Sequence, residues 1–210
     1  MLLLPIDIQW FYLTKIHSLI LFIKAVPRKW YYFFAIVTMN FRNISPTEDG
    51  MLNVIIETVR GSQNKFIYDP EKSVFKLKKT LPIGTVFPFD FGFVPGTKAE
   101  DGDPLDVLVI MEQTAFTGCL VQCRPIGVLQ ARQKGKNEKA VRNDRIVAVS
   151  HSSKLYAEIK DVKDLNKHMS GEIANFFIDY NKHEDKTFTP IRWSGKKEVL
   201  KMVAESSQAF

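Results

Sequence analysis

The chain has 210 residues, 45% of them apolar and 25% charged, a composition that fits a folded protein with one well-packed domain. Half of its net charge of +6 falls in the first 40 residues, and the remainder lacks the arginine-rich helix, zinc module or aromatic motif of a nucleic-acid-binding protein. We therefore expect no nucleic-acid partner, and a small anionic substrate instead.

Residues 1–40 differ in composition from the rest of the chain and include an aromatic cluster at residues 30–34. The apolar run at residues 17–23 is too short to span a bilayer, and the features of a signal peptide are not evident. Three interpretations are open: an interfacial membrane anchor, a divergent targeting segment, or sequence upstream of the true start. We favour a start at Met39 and no membrane association, with a barrel domain over residues 41–210.

From Leu52 onward the sequence is predominantly strand-like. Alternation and continuous apolar runs predict strands over residues 52–59, 65–69, 74–79, 107–111, 119–132 (two strands or one bent strand) and 146–150. Short strands in quick succession favour a closed or nearly closed barrel. Apolar residues then recur at helical spacing from Leu165 to Tyr180, and residues 195–206 predict a second, shorter helix. The predicted fold is therefore mainly β with flanking helices.

The two cysteines, Cys119 and Cys123, predict no disulfide framework. Four residues apart on an extended strand, they would lie roughly 13 Å from each other, which is beyond bridging distance. We interpret both as small core residues of a reduced, cytoplasmic protein.

The acidic turn Asp101-Gly102-Asp103-Pro104-Leu105-Asp106 is the most informative segment. Carboxylates this close repel one another unless a cation lies between them, and short oxygen ligands suit Mg²⁺, Mn²⁺ or Ca²⁺ better than zinc. A solvated turn is the simpler interpretation, since Asp, Gly and Pro are ordinary turn formers. However, an aromatic segment at residues 86–96 and an apolar strand at residues 107–111 flank the turn and would anchor it to the core. We therefore predict a metal site.

Cationic and phenolic side chains elsewhere could bind a phosphorylated substrate of such a site. Lys65 and Lys79 lie on the early strands, Arg145 begins a later strand, and Tyr180 lies near the end of the first helix. Each alone is an ordinary surface residue. Together with a pair of metal ions, they could neutralise phosphate charge while the ions generate a hydroxide nucleophile.

These residues resemble the signature of the family I soluble inorganic pyrophosphatases. The resemblance extends from about Asn53 to Tyr180 and includes several motifs in the family's order, at residues 54–57, 123–128, 160–165 and 173–177. It implies a small five-stranded closed barrel of OB type with two C-terminal helices, commonly in a homo-oligomer. It also implies hydrolysis of pyrophosphate to two phosphates with Mg²⁺ as cofactor, Mn²⁺ being an alternative.

The resemblance also implies a role for each matching residue. Asp101 and Asp106 are expected to hold metal ions, and Glu57 to support a metal that accompanies the substrate. Asp103 is expected to act as the general base for the water between the metals. The expected phosphate-binding residues are Lys65, Lys79, Arg145 and Tyr180.

The chain departs from the family at several of these positions. Gln133 and Asn143 stand where the family has two further metal-binding aspartates, and neutral amides contribute no negative charge. Asp144 or Glu138 could replace them if the loop is remodelled. Further departures are Ile67 for an acid, Lys79 for arginine, Arg145 for lysine, Phe87 and Phe91 for tyrosines, and Asn181 for lysine.

These departures leave rival functions open. One is a non-catalytic relative that binds metal and a phosphate compound without hydrolysing it. Others are a hydrolase of another phosphoanhydride and a structural Ca²⁺-binding module. We rank the pyrophosphatase first and the non-catalytic relative second.

Overall fold

The computed structural model describes Phe41 and residues 43–207, so the predictions for residues 1–40 lie outside the described residues. Its strands in chain order are β1 (Thr47–Glu48), β2 (Met51–Thr58), β3 (Asn64–Asp69), β4 (Val74–Thr80), β5 (Asp90–Phe93), β6 (Asp106–Ile110), β7 (Leu120–Lys134), β8 (Val141–Arg142), β9 (Arg145–Ser150) and β10 (Thr187–Gly195). The helices are α1 (Lys167–Lys182) and α2 (Lys196–Ser206), and a 3₁₀ turn lies at Val162–Asp164.

Five strands form a closed ring in the order β2-β5-β6-β9-β7, because β2 also pairs with β7. The β6–β9 pair is parallel, whereas the other pairs of the ring are antiparallel. β10 pairs with β7 beside the ring, and β3 and β4 form a separate hairpin. The prediction of a five-stranded, OB-like closed barrel with two C-terminal helices is confirmed.

Alternating side chains of the strands build two apolar clusters, one on each face. On β6, Leu108 and Ile110 join the cluster that includes Phe177 of α1. Val107 and Val109 of the same strand point the other way and join the cluster that includes Val199 of α2. Because successive side chains of a strand point to opposite faces, one helix packs against each cluster. This packing on both faces holds β6, and with it the functional residues at its end, in place.

Several predicted elements need correction in detail. Residues 120–134 form one continuous strand, bent by a register shift between Pro125 and Gly127, so the bent-strand alternative holds. The first helix begins only at Lys167, because the Asn166 side chain caps it by accepting a hydrogen bond from the backbone N–H of residue 168. Strands β5 and β10 were not predicted. Cys123 is buried as expected, but Cys119 is only half-buried, so its assignment to the core is wrong.

Among the described residues, no helix has the length and apolar character needed to cross a membrane.

Candidate active site

A cavity of about 750 Å³ brings together most of the residues predicted to bind metal or phosphate. The predicted residues on its wall are Glu57, Lys65, Asp101, Asp103, Asp106, Gln133, Asn143, Arg145 and Tyr180. They come from four barrel strands or their ends, from the β3–β4 hairpin and from α1. Lys79 and Asp144 are the predicted residues that do not line it.

The acidic turn is held rigidly at one end of this cavity. Gly102 has a φ of 93°, in the left-handed region that favours glycine, and the backbone N–H of Ala99 donates to the carbonyl of Asp103 at 2.7 Å. Leu105 is buried, and its N–H donates to Thr97 Oγ1 at 3.0 Å. The turn therefore presents its carboxylates from a fixed backbone.

These carboxylates influence one another electrostatically. Burial, followed by the negative charges of Asp106 and Asp103, raises the pKa of Asp101 above its ordinary value. Because a bound cation would reverse the effect of both neighbouring charges, this end of the cavity favours a positive ion.

Glu57 and Lys65 form a buried ion pair on the cavity wall. The Lys65 Nζ lies 3.0 Å from Glu57 Oε2, and the backbone N–H of Tyr68 donates to Glu57 Oε1 at 2.8 Å. Burial raises the pKa of Glu57 and lowers that of Lys65. The Lys65 Nζ also lies 3.9 Å from the centroid of the Phe91 ring and 5.8 Å from that of Phe87. The two phenylalanines that replace tyrosines thus contact the lysine through their ring faces.

Arg145 lies at the start of β9 and connects the acidic turn to the amide wall. Its Nη1 donates to Asp106 Oδ2 at 2.6 Å and also to Asn143 Oδ1. Asn143 Nδ2 in turn donates to Gln133 Oε1 at 3.0 Å. The two amides that stand in place of expected aspartates are therefore bonded to each other, and Asn143 also accepts from the Arg145 guanidinium.

Lys79 lies behind Tyr180 rather than on the cavity wall. Its Nζ is 3.6 Å from the Tyr180 ring centroid and 2.5 Å from Glu184 Oε1. Glu184 and Lys186 line the cavity, although neither was predicted from the sequence. Glu184 lies in the turn after α1, so helical spacing in the sequence provided no signal for it.

The Lys79–Glu184 pair predicts a pH-dependent contribution to stability. Burial opposes ionisation of Glu184, but the hydrogen bond and charge of Lys79, with the charge of Lys186, lower its pKa below the ordinary 4.5. This stabilisation is present above pH 4.5 and is lost as the pH falls through the lowered value. We expect Glu184→Gln to be less stable by about 1 kcal/mol at pH 7. Urea unfolding should show this difference shrinking below pH 4.5.

Glu205→Gln is the control for this prediction, because the Glu205–Lys201 pair is long at 3.8 Å and largely exposed. We expect this variant to change stability little at either pH. A Glu184→Gln deficit that persists unchanged at pH 3.5 would contradict the assignment.

Of the two candidate replacements for the expected aspartates, only one lies on the cavity. Asp144 accepts hydrogen bonds from Arg142 Nε at 2.6 Å and from the Ala131 N–H at 2.9 Å, and it faces a neighbouring cavity of about 310 Å³. Glu138 lines the main cavity. Asp144 thus acts as a structural acceptor between β7 and the β8–β9 connection.

Carboxylate oxygens that could serve as ligands of a divalent ion lie on the acidic turn of the cavity. Asp101, Asp103 and Asp106 offer hard oxygen ligands there, and burial, followed by the charges of Asp106 and Asp103, raises the pKa of Asp101. The amide wall instead offers Gln133 and Asn143, which bond to each other. Across the described part of the chain, no group of three or more His, Cys, Asp or Glu side chains is close enough to hold a metal ion.

The family model for inorganic pyrophosphatase matches residues 54–210. The chain is 37% identical over 161 residues to an inorganic pyrophosphatase of Nostoc sp., covering 77% of this chain and 92% of that protein. It is 38% identical over 156 residues to one of Synechocystis sp., covering 74% and 89%.

The chain belongs to the inorganic pyrophosphatase family. The reaction of this family is the metal-dependent hydrolysis of pyrophosphate to phosphate. The family and the reaction that the resemblance implied are therefore confirmed. The crystal structure of the inorganic pyrophosphatase from Thermus thermophilus matches with a TM-score of 0.72 at 28% identity, covering 80% of this chain and 96% of that one.

Proposed function

We propose that this protein hydrolyses inorganic pyrophosphate to two phosphates in a reaction that requires a divalent metal ion. The observation that carries the proposal is the meeting of the Asp101–Asp106 turn with Lys65 and Arg145 on one cavity wall. A pyrophosphate ion with bound metal carries both signs of charge. A cavity lined by both acidic and basic side chains matches that distribution.

In this proposal the acidic turn supplies the metal ligands and the base. Asp101 and Asp106 would hold the ions, with Glu57 nearby, since the charge of Asp106 acts on it. Divalent ions held there would supply Lewis acidity, which would lower the pKa of a bound water and offset the charge of the phosphate oxygens. Asp103 is exposed and, among the described residues, has no ion-pair partner, so it is free to accept the proton of the attacking water.

The cations bind and orient the phosphates. Lys65 is buried beside Phe91, where low solvent access strengthens its attraction to an anion. Arg145 faces the cavity from β9, and Tyr180 from α1. Lys79 contributes its charge from behind the Tyr180 ring.

We propose Mg²⁺ as the metal, with Mn²⁺ able to replace it, because the ligands on the acidic turn are hard oxygen atoms. A homo-oligomeric assembly and a cytoplasmic location complete the proposal. The free thiols of Cys119 and Cys123 support a reducing compartment, since cysteines persist unpaired there.

The test is phosphate release from pyrophosphate by the purified protein, with and without Mg²⁺. We expect release that depends on Mg²⁺ and stops on chelation. Tripolyphosphate and a nucleoside triphosphate should be tested in parallel at the same concentration. Preferred hydrolysis of either compound would replace pyrophosphate as the proposed substrate.

A second function, binding without turnover, is favoured by the Gln133–Asn143 hydrogen bond, because these amides stand where acidic metal ligands are expected. Calorimetry with a non-hydrolysable pyrophosphate analogue separates the two functions. Saturable binding of the analogue in a protein that releases no phosphate would establish the non-catalytic relative.

A further inference from the structure

Three oxygen atoms converge on a single nitrogen of Arg145. Nη1 donates to Asp106 Oδ2 at 2.6 Å, to Asn143 Oδ1, and to the backbone carbonyl of Asp144 at 3.0 Å. A carboxylate, an amide oxygen and a backbone carbonyl are also the ligands that surround hard divalent cations in proteins. Here a guanidinium nitrogen lies at their common point.

The guanidinium is held in this position from several sides. Arg145 is only 5% exposed, and its guanidinium carbon lies 5.0 Å from the Phe177 ring centroid and 5.7 Å from that of Phe188. Its Nε is buried and has no hydrogen-bond partner in the described part of the chain. The side chain therefore keeps its contact with the three oxygens even though its Nε–H is left without an acceptor. A buried donor without an acceptor normally lowers the stability of a protein.

We propose that Arg145 is a tethered cation that occupies a metal position of its own active site. The three oxygens bind the guanidinium permanently, so the β8–β9 wall takes no divalent ion. Metal ions then bind only through the carboxylates of the acidic turn. The positive charge that a metal ion would bring to this wall is supplied by the chain itself.

The tethered cation also explains why the neighbouring side chains are neutral. Gln133 and Asn143 need supply no negative charge, because the cation beside them carries a single charge and Asp106 already balances it. An added carboxylate at residue 143 would leave this wall with excess negative charge. This inference rests on the proposed function only for the identity of the substrate, and the metal count can be measured without any substrate.

The experiment counts Mn²⁺ ions bound per full-length chain, by electron paramagnetic resonance of free Mn²⁺ and by calorimetry. Arg145→Met removes the guanidinium and leaves the three oxygens without a cation, so we expect at least one additional Mn²⁺ per chain. Arg145→Lys keeps a cation at the site and should bind the same number as the unchanged protein. The double variant Arg145→Met/Asn143→Ala should lose the ion that Arg145→Met gains.

A second variant keeps the test decisive if Arg145→Met does not fold, as judged by circular dichroism. Asn143→Ala in the otherwise unchanged chain should bind as many Mn²⁺ ions as before, because no metal uses Asn143. The proposal is overturned if Asn143→Ala binds fewer ions, or if folded Arg145→Met gains none. If only the proposed function is wrong, the protein releases no phosphate while the Mn²⁺ counts are as expected. The failure of the proposed function and the failure of this inference are therefore distinguishable.

Discussion

Asp103→Asn should lower the rate of pyrophosphate hydrolysis by about 10³-fold or more, in the range that removal of a general base produces. The amide cannot accept a proton from the attacking water, whereas its size is nearly that of the carboxylate. The fold should be unchanged, because Asp103 contributes to the turn through its backbone, donating to Asp101 Oδ1 and accepting from Ala99. Phosphate release and the melting temperature of the same preparation provide the measurement.

Asp179→Asn is the matched control for this variant. Asp179 is exposed on α1, and no cation of the described residues forms an ion pair with its side chain. We expect this variant to retain full activity. Undiminished hydrolysis by Asp103→Asn would refute the assigned base and direct attention to another carboxylate on the cavity, such as Glu138.

Gly92→Ala should cause the largest loss of stability among single-methyl substitutions in the barrel. A Cβ at residue 92 would lie 2.0 Å from the carbonyl oxygen of Ile55 and 2.8 Å from its carbonyl carbon. Both contacts are with backbone, so β2 and β5 must separate where Ile56 pairs with Gly92. We expect a loss of at least about 3 kcal/mol in the free energy of unfolding, measured with urea.

Gly171→Ala provides the opposite outcome in the same protein. Gly171 lies within α1, and a Cβ there meets no atom within 4 Å. Replacement by alanine should stabilise the protein by about 0.5–1 kcal/mol, because alanine loses less backbone entropy in a helix. A Gly92→Ala protein as stable as Gly171→Ala would show that the β2–β5 contact adapts without cost.

Much of the barrel was predictable because its apolar strands have strong local signals, whereas β5 and β10, which are among the strands not predicted, have weak ones. β5 contains Gly92 within an aromatic segment, and glycine in a strand normally weakens the pattern. Its presence there reflects the close approach of β2, which no local signal reveals. β10 contains Pro190 and polar residues, which an edge strand tolerates because only β7 pairs with it.

Most of the charged residues that line the cavity were named from the sequence, but their pairings were not. The acidic turn is a contiguous motif, so its carboxylates could be identified together. The Arg145–Asp106 bond joins residues 39 apart in sequence, and the Lys79–Glu184 bond joins residues 105 apart. Such pairs arise from strand order and helix placement, which a single sequence does not determine. For this reason the tethered position of Arg145 became apparent only in the structure.

The closed ring has a consequence for how this protein is made. Because the ring order β2-β5-β6-β9-β7 includes β9, the barrel cannot close before the chain has been synthesised as far as Ser150. Until then the earlier strands form at most an open sheet, whose unpaired edges and apolar faces attract other nascent chains. Arg145 and Asn143 belong to the segment that completes the ring. Closure of the ring and formation of the amide wall with its arginine therefore occur in the same step of folding, before α1 can add Tyr180 to the cavity.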